Sequence, residues 1–286
     1  MTILLWHPER MVNGGGSWPR AVAVAERPRI RWEIILVLAI SVGQSALYSV
    51  LSLVRASLRT TPLGQQQTQL NPTLSTEAFW DVLYRFLDIF FSLAIVGLVV
   101  YLLWEPGMSA LRRIGLDFRR FGGDLGRGVL LCAAIGIPGL GLYALSRILG
   151  INVAVVASPL DSGWWVVPLL LLAALRAGLT EEVIFLGYLF DRLRRLGWSW
   201  TWIIVSTALL RGAYHAYQGL GAIVGNVVMG LVFGWCYRRW GRVMPLVIAH
   251  TIIDIVAFVG YPLAASLFPG VFAPPASPTP TPSATP

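Results

Sequence analysis

The chain has 286 residues, of which 56% are hydrophobic and 13% charged, and its mean hydropathy is +0.68. A water-soluble domain of this length carries about twice that charged fraction, so the composition excludes a soluble globule and indicates a polytopic membrane protein. The net charge of +8 does not point to nucleic acid, because the basic residues, all of them arginine, recur between apolar runs instead of forming one patch.

The first stretch, 1–31, holds Arg10, Arg20, Arg27, Arg29, Arg31 and a Gly14-Gly15-Gly16 run, without the apolar core of a cleavable leader. It is expected to be a cytoplasmic arm. Seven apolar segments follow, at 32–54, 79–104, 128–150, 163–190, 197–217, 219–237 and 243–268, each near or above the ~20 residues of a spanning helix. Tryptophans gather at their ends, among them Trp32, Trp80, Trp104, Trp164, Trp198 and Trp240, where an amphipathic ring favours the headgroup layer. The expected fold is an all-α, polytopic membrane helical bundle of about seven transmembrane helices over 32–268.

Arginines set the orientation. Five lie in the arm, five in 105–127, three in 191–196 and three in 238–242, whereas the alternate connections hold only Arg55 and Arg59. That bias places the N-terminus inside and the C-terminus outside a cytoplasmic (inner) membrane. Four arginines remain within the spans. Arg85 shares a helix face with Asp81 and Asp88 and is expected to be neutralised there. Arg147 sits near a helix end and is expected to reach the interface. The others are Arg176 and Arg211. From 269 to 286 the chain becomes rich in proline, which favours an extended, disordered tail. Cys132 and Cys236 lie in separate apolar runs without metal or redox spacing and read as buried free thiols. No internal repeat is visible.

The chemistry is concentrated in the fourth, fifth and seventh segments. Glu181 and Glu182 are adjacent inside an apolar run, where carboxylates are costly and mark function. Successive helical residues point about 100° apart, so one glutamate can face a water while the other takes a structural partner. Two of the three histidines, His215 and His250, fall in later apolar runs. Arg211 precedes His215 by four residues and Asp254 follows His250 by four, so each pair shares a helix face.

The order E-E-x-x-x-R, F-x-x-x-H, H-x-x-x-N/D on successive membrane helices resembles the signature of the CPBP family of intramembrane proteases. That family includes the type II CAAX prenyl endopeptidases and the bacteriocin-processing and self-immunity proteins of bacteria. The resemblance covers 163–260: Glu181-Glu182 match the first motif, His215 the second, and His250 with Asp254 the third. Small residues at Gly221, Gly225, Gly230 and Gly234 accompany the last. It implies an intramembrane endopeptidase acting on a peptide or membrane-protein segment within the bilayer, with no nucleic acid involved. Glu181 would be the general base, His215 would help to hold the attacking water, and His250 with Asp254 would stabilise the oxyanion. No cofactor is expected. Zinc on Glu181, His215 and His250 is the alternative, and the absence of H-E-x-x-H counts against it.

Two positions depart from the pattern: the motif arginine is Leu186 and the motif phenylalanine is Arg211. The sharper reading is a relocated charge, Arg211 neutralising Glu182 from the neighbouring helix, with Arg176 as a second candidate partner. An inactive immunity or binding protein on the same scaffold is the main alternative, and a proton-coupled transporter using Glu181, Glu182, His215 and His250 as a relay is the third. Counting along the segments from their cytoplasmic ends places His215 about twice as deep as Glu181 and His250. On that count His215 and the glutamates would not meet.

Overall fold

The computed structural model describes residues 18–157 and 163–272. Most of the arm and nearly all of the Pro-rich tail lie outside the described residues. The chain is a helical bundle. The first apolar segment is not one rod but two helices, α1 (Arg27–Ala39) and α2 (Val42–Ser57), bent by 52°. At the bend the Ser41 hydroxyl donates to the Val37 carbonyl at 2.5 Å, a back-bond that competes with the helix ladder. Helix α1 begins within the stretch read as an arm.

The strand β1 (Gln67–Leu70) leads to α3 (Ala78–Leu102), the short α4 (Ala110–Arg113) and the long α5 (Phe121–Ile148). Strand β2 (Ala154–Ala157) pairs in parallel with β1. Helix α6 (Val166–Glu182) then continues without a break through a π-helical stretch, Val183–Leu189, into α7 (Phe190–Arg195). Helices α8 (Trp200–Tyr214), α9 (Leu220–Trp240) and α10 (Met244–Leu267) follow, and a single helical turn, α11 (Pro269–Phe272), ends the described chain.

Every expected segment is helical, but seven full spans are not met on length and hydropathy. Among the described residues four helices qualify, Ala78–Leu102, Phe121–Ile148, Leu220–Trp240 and Met244–Tyr261, or up to five if the bent α1–α2 pair is one span. The reason is length: α6 has 17 residues before the helix changes pitch, and α8 has 15.

The bundle has two distinct ends. One gathers the arginine-rich connections. There Asp191 is bound by Arg113, by Arg192 at 2.6 Å and by Arg195 at 2.9 Å, while Arg192 also reaches Glu33 at 2.5 Å. Arg242 is clasped by Asp124 at 2.7 Å and Asp117 at 3.0 Å. The other end carries the small sheet. Arg147 ties it together by donating to the Gly64 and Asn152 carbonyls at 2.8 and 3.0 Å, where it had been expected to extend towards the interface. Arg85 pairs with Asp81 at 3.0 Å, as its spacing suggests, but Asp88 lies 3.9 Å from Arg176 instead.

Candidate active site

Two close helix contacts build the site. At Gly178 an added Cβ would stand 2.6 Å from Thr251 Oγ1 and 3.1 Å from the Val247 carbonyl, so α6 and α10 touch one turn before the glutamates. At Gly230 it would lie 2.8 Å from Ala208 Cα, which draws α8 and α9 together one turn before Arg211. Small residues at such positions are what let membrane helices approach closely enough to share polar side chains.

Glu181, Glu182, Arg211 and His250 are 4%, 0%, 2% and 5% exposed. Arg211 donates from one nitrogen to Glu182 and, at 3.2 Å, to Glu181 Oε2. Its guanidinium is flanked by the rings of Phe185 and Phe233, 5.4 and 5.5 Å away. His250 Nδ1 meets the same Glu182 oxygen at 2.7 Å. With Nδ1 as the donor, the ring presents its Nε2 to Asp254, 3.7 Å away. Glu182 is thus fixed by two helices at once, whereas Glu181 faces His215 Nε2 at 3.7 Å. His215 and Asp254 are the partly open members of the group, their side chains 17% and 19% exposed.

All five residues singled out by their motifs, Glu181, Glu182, His215, His250 and Asp254, therefore lie in one cluster, joined by Arg211. Arg176 does not take part, since its ion pair is with Asp88. The expected depth mismatch of His215 is corrected by where the helices end. The glutamate helix runs on to Arg195, 14 residues past Glu181, and α8 starts only at Trp200, 15 residues before His215. The two are then level. Helix α8 stops there because the chain turns back at Gly219, whose φ of +117° favours glycine and whose missing Cβ would meet the Ile151 carbonyl at 2.5 Å.

The donor set does not suit zinc as arranged. Arg211 places a cation beside Glu181 and Glu182, and His250 commits Nδ1 to Glu182. Among the described residues no group of three or more His, Cys, Asp or Glu has the spacing of a metal site. Sequence reasoning had not singled out Gln218 and Asn226, amides that line a cavity together with His215. Their signal was their polarity in an apolar neighbourhood. Nor had it paired His250 with Glu182, which spacing along the chain does not encode.

Residues 163–256 match the family described as type II CAAX prenyl endopeptidase Rce1-like. No curated protein and no solved structure matches the chain. The match begins just before α6 and ends within α10, so it holds every residue of the cluster. Its apolar helices make the chain a multi-pass membrane protein, and the third of its length that bears the site is similar to the type II CAAX prenyl endopeptidases described as Rce1-like.

Proposed function

We propose that the protein is an intramembrane endopeptidase in which Glu181 activates a water for attack on a peptide bond. The observation that carries this reading is the pairing of Glu181 with His215. They stand 3.7 Å apart, too far for a direct hydrogen bond, and both ring nitrogens of His215 are buried without a hydrogen-bond partner among the described residues. A carboxylate and an imidazole at that separation hold one water between them. Glu181 takes a proton from that water as its oxygen adds to the peptide carbonyl carbon. When the tetrahedral species collapses, the C–N bond breaks and the proton passes to the leaving amine. His250, as an imidazolium whose Nδ1 donates to Glu182, is the donor through Nε2 for the developing oxyanion, with Asp254 behind it.

Arg211 is the positioning residue. It supplies from α8 the guanidinium that position 186 lacks, which removes the main ground for reading the scaffold as inactive. The mechanism runs without metal, because a guanidinium already neutralises the two carboxylates. All seven apolar segments, α8 included, are read as membrane-embedded, with the arginine-rich end in the cytoplasm and the membrane being the inner one. The substrate is a peptide or a membrane-protein segment.

The test is cleavage of a quenched peptide library by purified wild type and Glu181→Gln. Loss of a general base predicts a fall of about 10²–10⁴-fold in protein that remains folded. Equal rates for the two proteins would remove Glu181 from the mechanism, and solute flux driven by a pH gradient would favour the transporter.

A further inference from the structure

Charges inside a membrane helix persist where something compensates them. The active-site cluster accounts for Glu181, Glu182, Arg211, His250 and Asp254, and Arg85 is answered by Asp81. Asp88 on α3 and Arg176 on α6 belong to neither arrangement, and they answer each other poorly. Their closest nitrogen–oxygen approach is 3.9 Å, longer than a hydrogen bond, and Arg176 Nε is buried with no hydrogen-bond partner among the described residues. The Asp88 side chain is 61% exposed, on a helix whose neighbouring Phe86, Leu87, Phe90 and Phe91 are exposed too. A half-paired carboxylate on a face of that composition is costly against lipid.

Both residues line a pocket of about 280 Å³ between α3 and α6. Its walls are otherwise mostly apolar, with Leu74, Ile89, Leu169 and Ala173 among them. The loop after β1 borders it and is fixed there by the Leu74 N–H, which donates to Asp81 at 2.6 Å. Arg85 also lines the pocket, but Asp81 at 3.0 Å already meets its charge. One guanidinium and one carboxylate, side by side, are therefore left to be satisfied.

Their depth is matched. Asp88 lies ten residues past the start of α3 at Ala78, and Arg176 ten past the start of α6 at Val166, about 15 Å in each case. Both helices start at the sheet end, and helical side chains lean towards the helix start, so a long arginine there reaches back towards that surface. Trp80 and Tyr84, stacked and exposed one to two turns above Asp88, mark the headgroup level on the same helix.

We propose that this pocket holds the head of a zwitterionic phospholipid, a phosphoethanolamine group, with its phosphate on Arg176 and its ammonium on Asp88. Set against the pair in the opposite sense, such a head makes four alternating charges, and the phosphate accepts from the guanidinium hydrogens that Asp88 does not reach. A purely anionic head would satisfy Arg176 but leave Asp88 facing like charge. The pocket is too small for a drug-sized ligand and suits a compact polar group, while its apolar walls and the exposed phenylalanines of α3 continue along the acyl chains. The site is separate from the cluster and does not depend on the reaction.

The test uses the full chain, delipidated in detergent, and reads the binding of one added lipid by native mass spectrometry. The wild type is expected to bind phosphatidylethanolamine about tenfold or more tightly than phosphatidylglycerol with the same acyl chains, which has the phosphate without the ammonium. Asp88→Asn should abolish that preference, and Arg176→Gln should weaken both lipids. The double variant strands no charge, so it serves where a single variant fails to fold, and it should bind both lipids equally and weakly. Equal binding of the two lipids by the wild type, or a preference that survives in Asp88→Asn or in the double variant, overturns the proposal. Binding of O-phosphoethanolamine without acyl chains as tightly as the lipid would assign the pocket to a soluble ligand with the same head and overturn the lipid. A wild-type dimer that separates on Asp88→Asn would overturn it in favour of a contact between two copies of the chain.

Discussion

Replacing Arg211 by leucine removes the cation that, among the described residues, touches both glutamates. Neither carboxylate can recover by turning to solvent, because Glu181 and Glu182 are 4% and 0% exposed. The space is also closed to rearrangement, with Phe185 and Phe233 packed against the guanidinium and Ala208 against α9. Removing one partner of such a buried pair costs about 3–5 kcal/mol, most of it the penalty for the charge left behind. For a chain of this size that is a fall in melting temperature of about 6–20 °C. The assay is thermal or denaturant unfolding in detergent of Arg211→Leu, Glu182→Gln and the double variant. Neutralising Glu182 takes away the stranded charge, so the double variant should be more stable than Arg211→Leu alone by about 1 kcal/mol or more. A loss below about 1 kcal/mol for Arg211→Leu, or simple additivity in the double variant, would refute the argument that the arginine compensates the carboxylates. The companion pair Arg211→Phe with Leu186→Arg asks whether a guanidinium from the glutamate helix itself serves equally. Activity and stability above those of Arg211→Phe alone are expected.

Three further outcomes follow from the geometry. Gly230→Leu should destabilise by about 1–3 kcal/mol in the same unfolding assay and depress cleavage, because the new side chain separates α8 from α9 at Ala208 and disturbs Arg211, whose Cδ lies 3.6 Å from the added Cβ. At the arginine-rich end, burial pushes the Asp117 carboxyl up, but the hydrogen bonds from Arg242 and the Arg119 backbone, together with the charges of both arginines, outweigh it and hold the group below its ordinary value of 3.8. A folded-state value below the unfolded one gives stability that is complete above about pH 4 and is lost as pH falls through the lower value, so melting temperatures of wild type and Asp117→Asn should converge on acidification. A strong chelator should leave the cleavage rate of the wild type unchanged, and a loss restored by added zinc would reverse the metal-free mechanism.

The positions of the helices were legible because each must be apolar for about 20 residues, and that requirement is written locally. Where regular helix begins and ends was not. Hydropathy did not register the break between Ile40 and Val42, since the residues on either side are equally compatible with lipid. Nor did it register the pairing of β1 with β2, which depends on two connections meeting across the bundle. In the site, the residue types and the separation of the two glutamates into different surroundings could be read from helix geometry, whereas the approach of Arg211 to Glu182 came from the two departures from the family's motif, Leu186 and Arg211. Which carboxylate His250 would address could not, because it is decided by the contact at Gly178 between two helices far apart in the chain. Arg176 was a reasonable candidate by spacing and was drawn instead to Asp88 by the packing of α3 on α6.

The shortness of α8 also has a consequence for the bilayer. Fifteen residues rise about 22 Å, against a hydrocarbon thickness of about 30 Å. The helix is not hidden from lipid, because Trp202 and Leu209 on it are 66% and 57% exposed. On the proposed embedding of α8, acyl chains beside it have to shorten or tilt, which predicts a local thinning of one leaflet. A neighbouring membrane segment that drifts into this zone loses part of its apolar cover before it touches the protein. The membrane's elasticity thus helps to unwrap it, and thicker bilayers should resist that deformation more strongly.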